Sequence, residues 1–287
     1  MSLPDITQLD AWLASREAAV ANIRNGCAKR IVWPDGVVAK APVSVVYIHG
    51  YSASPLEISP VPERVGAALG APVFSTRLSG HGQDGAAMGA ATLPEWEADV
   101  AEALSIGAAL GDKVLVIGCS TGCTLITLAL AKGAKVAGAI MVSPNYGLRS
   151  RIVQAILDAP FARTWAPWFT GKTRNIPAIN DGHAAYWTLR YPTTALFPMA
   201  ASVRAVRSLD LSRIKTPCLF ATCPDDTVVD PAATAGVAAR WGGPTRALSM
   251  TMGPGDDANG HVIAGDVFSP GQTDRMIADV LEWWATV

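Results

Sequence analysis

A serine between two glycines is the first place where this sequence could do chemistry. Gly118-Cys119-Ser120-Thr121-Gly122 follows the apolar run KVLVIG (113–118) and opens a segment of helical period, STGCTLITLALAKG (120–133). A serine at an abrupt strand-to-helix turn is held in a strained backbone conformation with its hydroxyl exposed above the sheet, as a nucleophile requires. Glycines two before and two after leave room for neighbouring backbones. The helix that follows points its positive end at the reacting centre. The chemistry that fits is acyl transfer through Ser120.

A serine hydroxyl is a poor nucleophile near neutral pH and needs a base within hydrogen-bond reach. The chain has four histidines, His49, His81, His183 and His261. Around such an elbow the order along the chain is serine, acid, histidine, which removes His49 and His81. His183 comes before any strand that could carry the acid. His261 remains, in Asn259-Gly260-His261-Val262-Ile263, after the last expected strand and before the final helix.

The acid must follow a late strand and face His261. After the elbow the only glutamate is Glu282, in the terminal helix, so an aspartate is required. TPCLFATC (216–223) leads into Pro224-Asp225-Asp226-Thr227-Val228-Val229-Asp230, which places three carboxylates at a strand's carboxyl end. One of them would fix the imidazole tautomer and stabilise the imidazolium. The others could cap a helix beginning near Pro231.

Negative charge on a tetrahedral intermediate needs backbone N–H donors placed where it develops. Thr121, next to the nucleophile, offers one. The loop after the early strand VSVVYIH (43–49) offers the other, at Gly50 or Tyr51, and Tyr51 is preferred because a strand-ending His-Gly places the next amide at the mouth. His49 reads as a buried hydrogen-bonding residue. Ser54-Pro55-Leu56-Glu57 has the spacing of a capping box with proline in the first helical turn, which makes Glu57 a cap.

The elements that must position these residues alternate short apolar runs with longer helical segments, the pattern of a parallel sheet covered by helices. Strands are expected at 43–49, 71–78, 113–118, 136–143, 216–223 and 245–252. Helices are expected from Ser54-Pro55, over 92–110, over 120–133 and over 274–285. Residues 1–42 should hold one helix and an edge hairpin around Pro34, Asp35 and Gly36. Between 145 and 209 the alternation stops, and the stretch carries Trp165, Trp168, Phe169, Tyr186, Trp187, Tyr191 and Phe197. It is too long for a plain loop. It is expected to form a cap on the sheet's carboxyl edge, with 1–144 and 210–287 as the core.

Composition bounds the setting. The 287 residues are 50% hydrophobic and 16% charged, enough for a large core. A formal net charge of −1 gives no electrostatic reason to expect nucleic acid or an anionic membrane as partner. No unbroken apolar stretch opens the chain, and the most apolar region (113–144) is interrupted by glycines and lysines, so neither a signal peptide nor a stable membrane insertion is expected. Five cysteines without zinc spacing suit reduced, buried thiols and a cytoplasmic location.

HGYSAS after a strand, RLSGHG (77–82), GCSTG, PDDTVV and GHVIAGD (260–266) occur in the order found in α/β-hydrolases. Over about residues 43–285 the chain most resembles the carboxylesterase and monoacylglycerol-lipase branch. The resemblance implies an α/β-hydrolase fold, a mostly parallel central sheet flanked by helices with a small helical cap, and no metal or organic cofactor. In that branch the acid is followed by two residues and a valine or similar, which favours Asp226 over Asp225; the histidine motif matches His261-Val262. The cap of such enzymes receives the acyl group of a small-molecule or lipid-like ester. The sequence departs from the branch in Cys119 and Cys123 around the elbow and in Tyr51, where many relatives carry phenylalanine. Thioesters, amides or peptides, and carbon–carbon bonds are alternative substrates for the same residues. A non-catalytic binding module of the same fold is the alternative outside enzymes. Haloalkane dehalogenases and epoxide hydrolases are disfavoured, because they carry an aspartate where Ser120 stands.

Overall fold

The computed structural model describes residues 3–287. Its strands are β1 (Arg30–Val32), β2 (Ala41–Ile48), β3 (Val73–Ser75), β4 (Gly111–Cys119), β5 (Gly138–Val142), β6 (Thr173–Asn175), β7 (Arg190–Pro192), β8 (Cys218–Thr222) and β9 (Thr245–Ser249). Seven of them form one sheet in the order β1-β3-β2-β4-β5-β8-β9, parallel except for β1 at the edge. The expected strand sites all carry strand, although only three residues of 71–78 stay in the sheet.

Side chains alternate across a strand, so the two-residue period sorts these apolar runs onto opposite faces. Val46, Ile48, Val114, Val116, Met141 and Phe220 enter one buried cluster. Their neighbours Val45, Tyr47, Leu115, Ile117, Ile140 and Leu219 enter the other. The first face is covered by α4 (Leu93–Leu110), α5 (Thr121–Ala131) and α9 (Leu196–Arg207), through residues such as Trp96, Leu125 and Val203. The second is covered by α2 (Val61–Leu69) and α11 (Pro270–Trp284), through Val65, Met276 and Trp283. Helix α4 starts on a complete capping box, Thr92 with Glu95. Asp230 caps α10 (Pro231–Ala238) by accepting from the Ala232 N–H. All five cysteines are free and buried.

Two expectations are corrected. No helix starts at Ser54-Pro55: the chain turns there, and α2 begins at Val61. Residues 52–58 are tucked against the strand ends and mostly buried, and the Glu57 carboxylate bonds to Tyr47 and Gly50 rather than back to Ser54, so no capping box forms. Residues 30–48 form no hairpin either. After α1 (Leu9–Ala18), β1 pairs antiparallel with β3, and the turn at Pro34–Gly36, with Asp35 at φ 51°, carries the chain past β3 to β2. The outer edge of β3 takes β1, while both edges of β2 are filled by β3 and β4.

Between β5 and β8 the chain leaves the sheet. This insertion holds α6 (Arg151–Asp158), α7 (Ala162–Thr170), α8 (Asp181–Tyr186) and α9, and also a two-stranded antiparallel ribbon of β6 and β7. Strands of three residues, TRN and RYP, carry too little alternation to be seen in sequence. No helix among the described residues is long and apolar enough to cross a membrane.

Candidate active site

Strand β4 ends at Cys119, and Ser120 turns the chain into α5 with φ 50° and ψ −112°. Such a backbone is costly for a residue with a Cβ and persists only where the surroundings hold it. Here the Ser120 N–H donates to the Val142 carbonyl at 2.9 Å, and its carbonyl accepts from Asn145 and Cys123 at 3.1 Å. Gly122 is required by contact: a Cβ there would stand 2.2 Å from the Ile48 carbonyl oxygen.

Ser120 Oγ lies 3.1 Å from His261 Nε2, and His261 Nδ1 lies 2.8 Å from Asp226 Oδ2. The structure therefore brings together the serine, histidine and aspartate expected from sequence, from the loops after β4, β9 and β8. Asp226 is almost wholly buried, and its Oδ1 accepts the Val228 and Val229 N–H groups at 2.7 and 2.9 Å. Asp225 is exposed. Burial works against a charged His261, but the hydrogen bond and charge of Asp226, with the Glu57 and Asp257 carboxylates behind, outweigh it and hold the imidazole above the ordinary histidine range.

Asp257 escaped the sequence reading. Its buried carboxylate accepts the N–H groups of His261 at 3.0 Å and of Val262 at 2.9 Å from one oxygen, and of Asn259 at 3.0 Å from the other. It shapes the turn that carries His261. Thr227 donates its N–H to the Asn259 carbonyl at 2.9 Å, which ties that turn to the loop of Asp226. An aspartate four residues before a loop histidine was the available signal.

The other histidines stand elsewhere. His49 is buried, with Nδ1 at 2.8 Å from the Gly50 carbonyl and Nε2 accepting the Leu78 N–H at 3.0 Å, as a hydrogen-bonding residue should be. Burial, with His81 beside it, holds its pKa well below the usual value. Burial also lowers His81, to about 4. His183 packs edge-on against Trp187 and Phe268.

Tyr51 and Thr121 both lie at Ser120. Among the described residues the backbone N–H of neither has a protein acceptor, whereas the Gly50 N–H is taken by Glu57 at 2.7 Å. Gly50, the alternative donor, is thereby occupied. Above these groups is a cavity of about 390 Å³ that reaches Ser120 and His261. Its wall is more aliphatic than the aromatic insertion suggests, with Leu148, Leu157, Ile176, Leu196 and Met199 prominent. Of the seven insertion aromatics only Trp187 and Tyr191 line it; Trp168 and Phe169 are more than four-fifths exposed, and Phe197 is in the core.

The fold has counterparts among known proteins. The model of the alpha/beta hydrolase family matches residues 45–266. No curated protein matches the chain. Similar solved structures include a metagenome-derived lipolytic enzyme described with LipS and LipT (TM-score 0.72, 19% identity, 93% of this chain and 100% of that one). A soluble variant of monoglyceride lipase from Saccharomyces cerevisiae follows at TM-score 0.64 and 14% identity, over 89% of this chain and 90% of that one. BpoC from Mycobacterium tuberculosis, which carries the name of a non-heme bromoperoxidase, has TM-score 0.61 and 16% identity, over 93% of this chain and 98% of that one. At these identities the likeness establishes the fold and leaves the reaction to the site. The chain belongs to the alpha/beta hydrolase family.

Proposed function

We propose that this protein is a serine hydrolase that cleaves carboxylic esters of small or lipid-like molecules through an acyl-enzyme on Ser120. The observation that carries this reading is the continuous hydrogen-bonded line from Ser120 Oγ through His261 to Asp226 at the floor of an apolar cavity. Ser120 attacks the carbonyl carbon while His261 Nε2 takes its proton, and Asp226 holds the imidazole with Nδ1–H toward itself. The N–H groups of Tyr51 and Thr121 receive the oxyanion, and the positive end of α5 adds to their field. His261 then protonates the departing alcohol, and a water deprotonated by the same imidazole releases the acid.

The insertion at 145–209 acts as a cap in this reading. Its aliphatic lining suits an apolar acyl chain of short to medium length. Supporting neighbours include a lipolytic enzyme and a monoglyceride lipase. Nothing in the cycle calls for a metal or organic cofactor, and the cytoplasm is the proposed setting.

Initial rates on p-nitrophenyl esters of increasing acyl length, for wild type and Ser120→Ala, test the proposal. Turnover should peak at one chain length and fall by about 10⁴-fold or more without the serine, as when triad members are removed elsewhere. Folded wild type that turns over no ester of the series would refute it.

A further inference from the structure

Glu57 is a carboxylic acid buried to 3% exposure that takes no part in the cycle above. Burying such a group is costly unless it is hydrogen-bonded, so its partners matter. Its Oε2 accepts from the Tyr47 hydroxyl and from the Gly50 N–H, each at 2.7 Å. Tyr47 lies on β2 and is fully buried, which gives the carboxylate a rigid anchor.

The two peptide planes that meet at the Gly50 Cα are both held. The plane before it is held at its N–H, by Glu57. The plane after it contains the Gly50 carbonyl and the Tyr51 N–H. His49 Nε2 accepts from Leu78, so Nδ1 carries the proton and donates to the Gly50 carbonyl at 2.8 Å. A peptide unit is planar and trans, so a carbonyl held on one side sends the following N–H to the other. Gly50 itself lies against the reacting centre. A Cβ built on it would stand 2.7 Å from Glu57 Oε1 and 3.1 Å from the Ser120 Cβ. The carboxylate and the nucleophile thus leave no room for a side chain at position 50, and a shift of the glycine moves the Tyr51 amide relative to Ser120.

We infer that Glu57 is a positioning residue of the oxyanion hole: by accepting the Gly50 N–H it fixes, together with His49, the loop that aims the Tyr51 N–H at the substrate carbonyl. It also keeps the Gly50 N–H from competing for that oxygen. The role asks for an acceptor rather than a charge. The inference rests on the serine-hydrolase reading, since it concerns how the oxyanion is received.

Three variants test it: Glu57→Gln, Glu57→Leu and Tyr47→Phe. Each is assayed for thermal midpoint, for kcat and KM on the best p-nitrophenyl ester, and for affinity toward an alkyl boronic acid, which forms a tetrahedral adduct with the serine. The glutamine oxygen can accept both hydrogen bonds, so Glu57→Gln should keep kcat within about threefold of wild type. Losing one oxyanion donor costs about 10²–10³-fold in kcat; a donor that is mis-aimed but present should cost less, so Glu57→Leu should lose about 30–100-fold with KM within about twofold. Boronate affinity should fall in step with kcat. Tyr47→Phe, which loosens the anchor and leaves Glu57 in place, should lose about 3–10-fold in the same pattern.

A folded Glu57→Leu protein with wild-type kcat overturns the inference. So does a loss in kcat that leaves boronate affinity unchanged, or an equal loss in the glutamine and leucine variants. If the leucine variant does not fold, Tyr47→Phe decides by the same two readouts. Wild type that binds the boronate and hydrolyses no ester would sink the proposed function instead, and the boronate affinities of the variants would still decide the role of Glu57.

Discussion

Asp226 Oδ2 and His261 Nδ1 meet at 2.8 Å across 35 residues of chain. The other oxygen of Asp226 is occupied by two backbone N–H groups, so the carboxylate has one orientation in which to meet the imidazole. That orientation demands a proton on Nδ1 and leaves Nε2 free to accept from Ser120. An asparagine at 226 offers an amide that can present N–H to the ring and favour the wrong tautomer. Asp226→Asn should lower kcat on p-nitrophenyl esters by about 10⁴-fold, the scale of the same change in a serine protease triad. Asp225→Asn, on the exposed neighbour, should change it by less than about twofold. The reverse pattern would move the acid to Asp225.

The pH profile should carry the same pair. His261 acts as a base only when neutral, and its pKa is raised against the cost of burial, mainly by Asp226. Protonation therefore begins at higher pH than for an ordinary histidine, and the acid limb of kcat/KM should fall above the usual value of about 6.5. His49 and His81 are shifted the other way by burial and should add no inflection near neutrality. An acid limb below about 6 in a kcat/KM titration from pH 5 to 9 would contradict this assignment.

Much of this was legible in the sequence, and the misses have one cause. Ser120 and Asp226 each follow a strand of buried apolar residues, β4 and β8, His261 follows the exposed edge strand β9, and the chain order of such a sheet leaves few candidates. The strands were legible because their apolar runs are short and bounded by turn residues. Glu57 was misread because the spacing Ser54 to Glu57 is that of a helix cap, and local spacing does not reveal that residues 52–58 pack under the strand ends. The residues that line the cavity were not legible for a similar reason. Aromatic content marked the insertion, but which face of α6 or α7 turns inward is decided by tertiary packing, which left Trp168 and Phe169 outside and Leu157 inside.

A buried ion pair holds the N-terminal segment to the body. Arg77 donates from Nε and Nη2 to the two oxygens of Glu17, both at 2.8 Å, and Glu17 also accepts the Lys29 N–H at 2.8 Å. Burial opposes the charge on Glu17, yet Arg77 and Lys29 together hold its pKa below the usual value. Glu17→Gln leaves the buried guanidinium without a counter-charge and should cost about 3–5 kcal/mol in a denaturant titration at pH 7. A carboxylate with a depressed folded pKa stabilises above its unfolded pKa and loses that contribution as pH falls through the folded one. The difference between wild type and variant should therefore be full near neutrality and shrink below about pH 4. A difference under about 1 kcal/mol at pH 7 would mean that the pair is no more than a surface-strength contact.

Acyl-chain preference should follow the aliphatic wall and ignore the exposed aromatics. Met199 lines the cavity next to Asn145, whose side-chain amide lies 3.2 Å from its Sδ. Met199→Ala opens space near the nucleophile of about the size of two to three methylene groups. Each buried methylene is worth about 0.8 kcal/mol, or roughly fourfold in kcat/KM. The preferred p-nitrophenyl ester should then lengthen by about two carbons, and the ratio of long-chain to short-chain kcat/KM should rise by about tenfold or more. Trp168 is 81% exposed and does not line the cavity, so Trp168→Ala should leave that ratio within about twofold. A preference that moved with Trp168 and stayed fixed with Met199 would place the acyl chain under α7, outside the cavity that reaches Ser120.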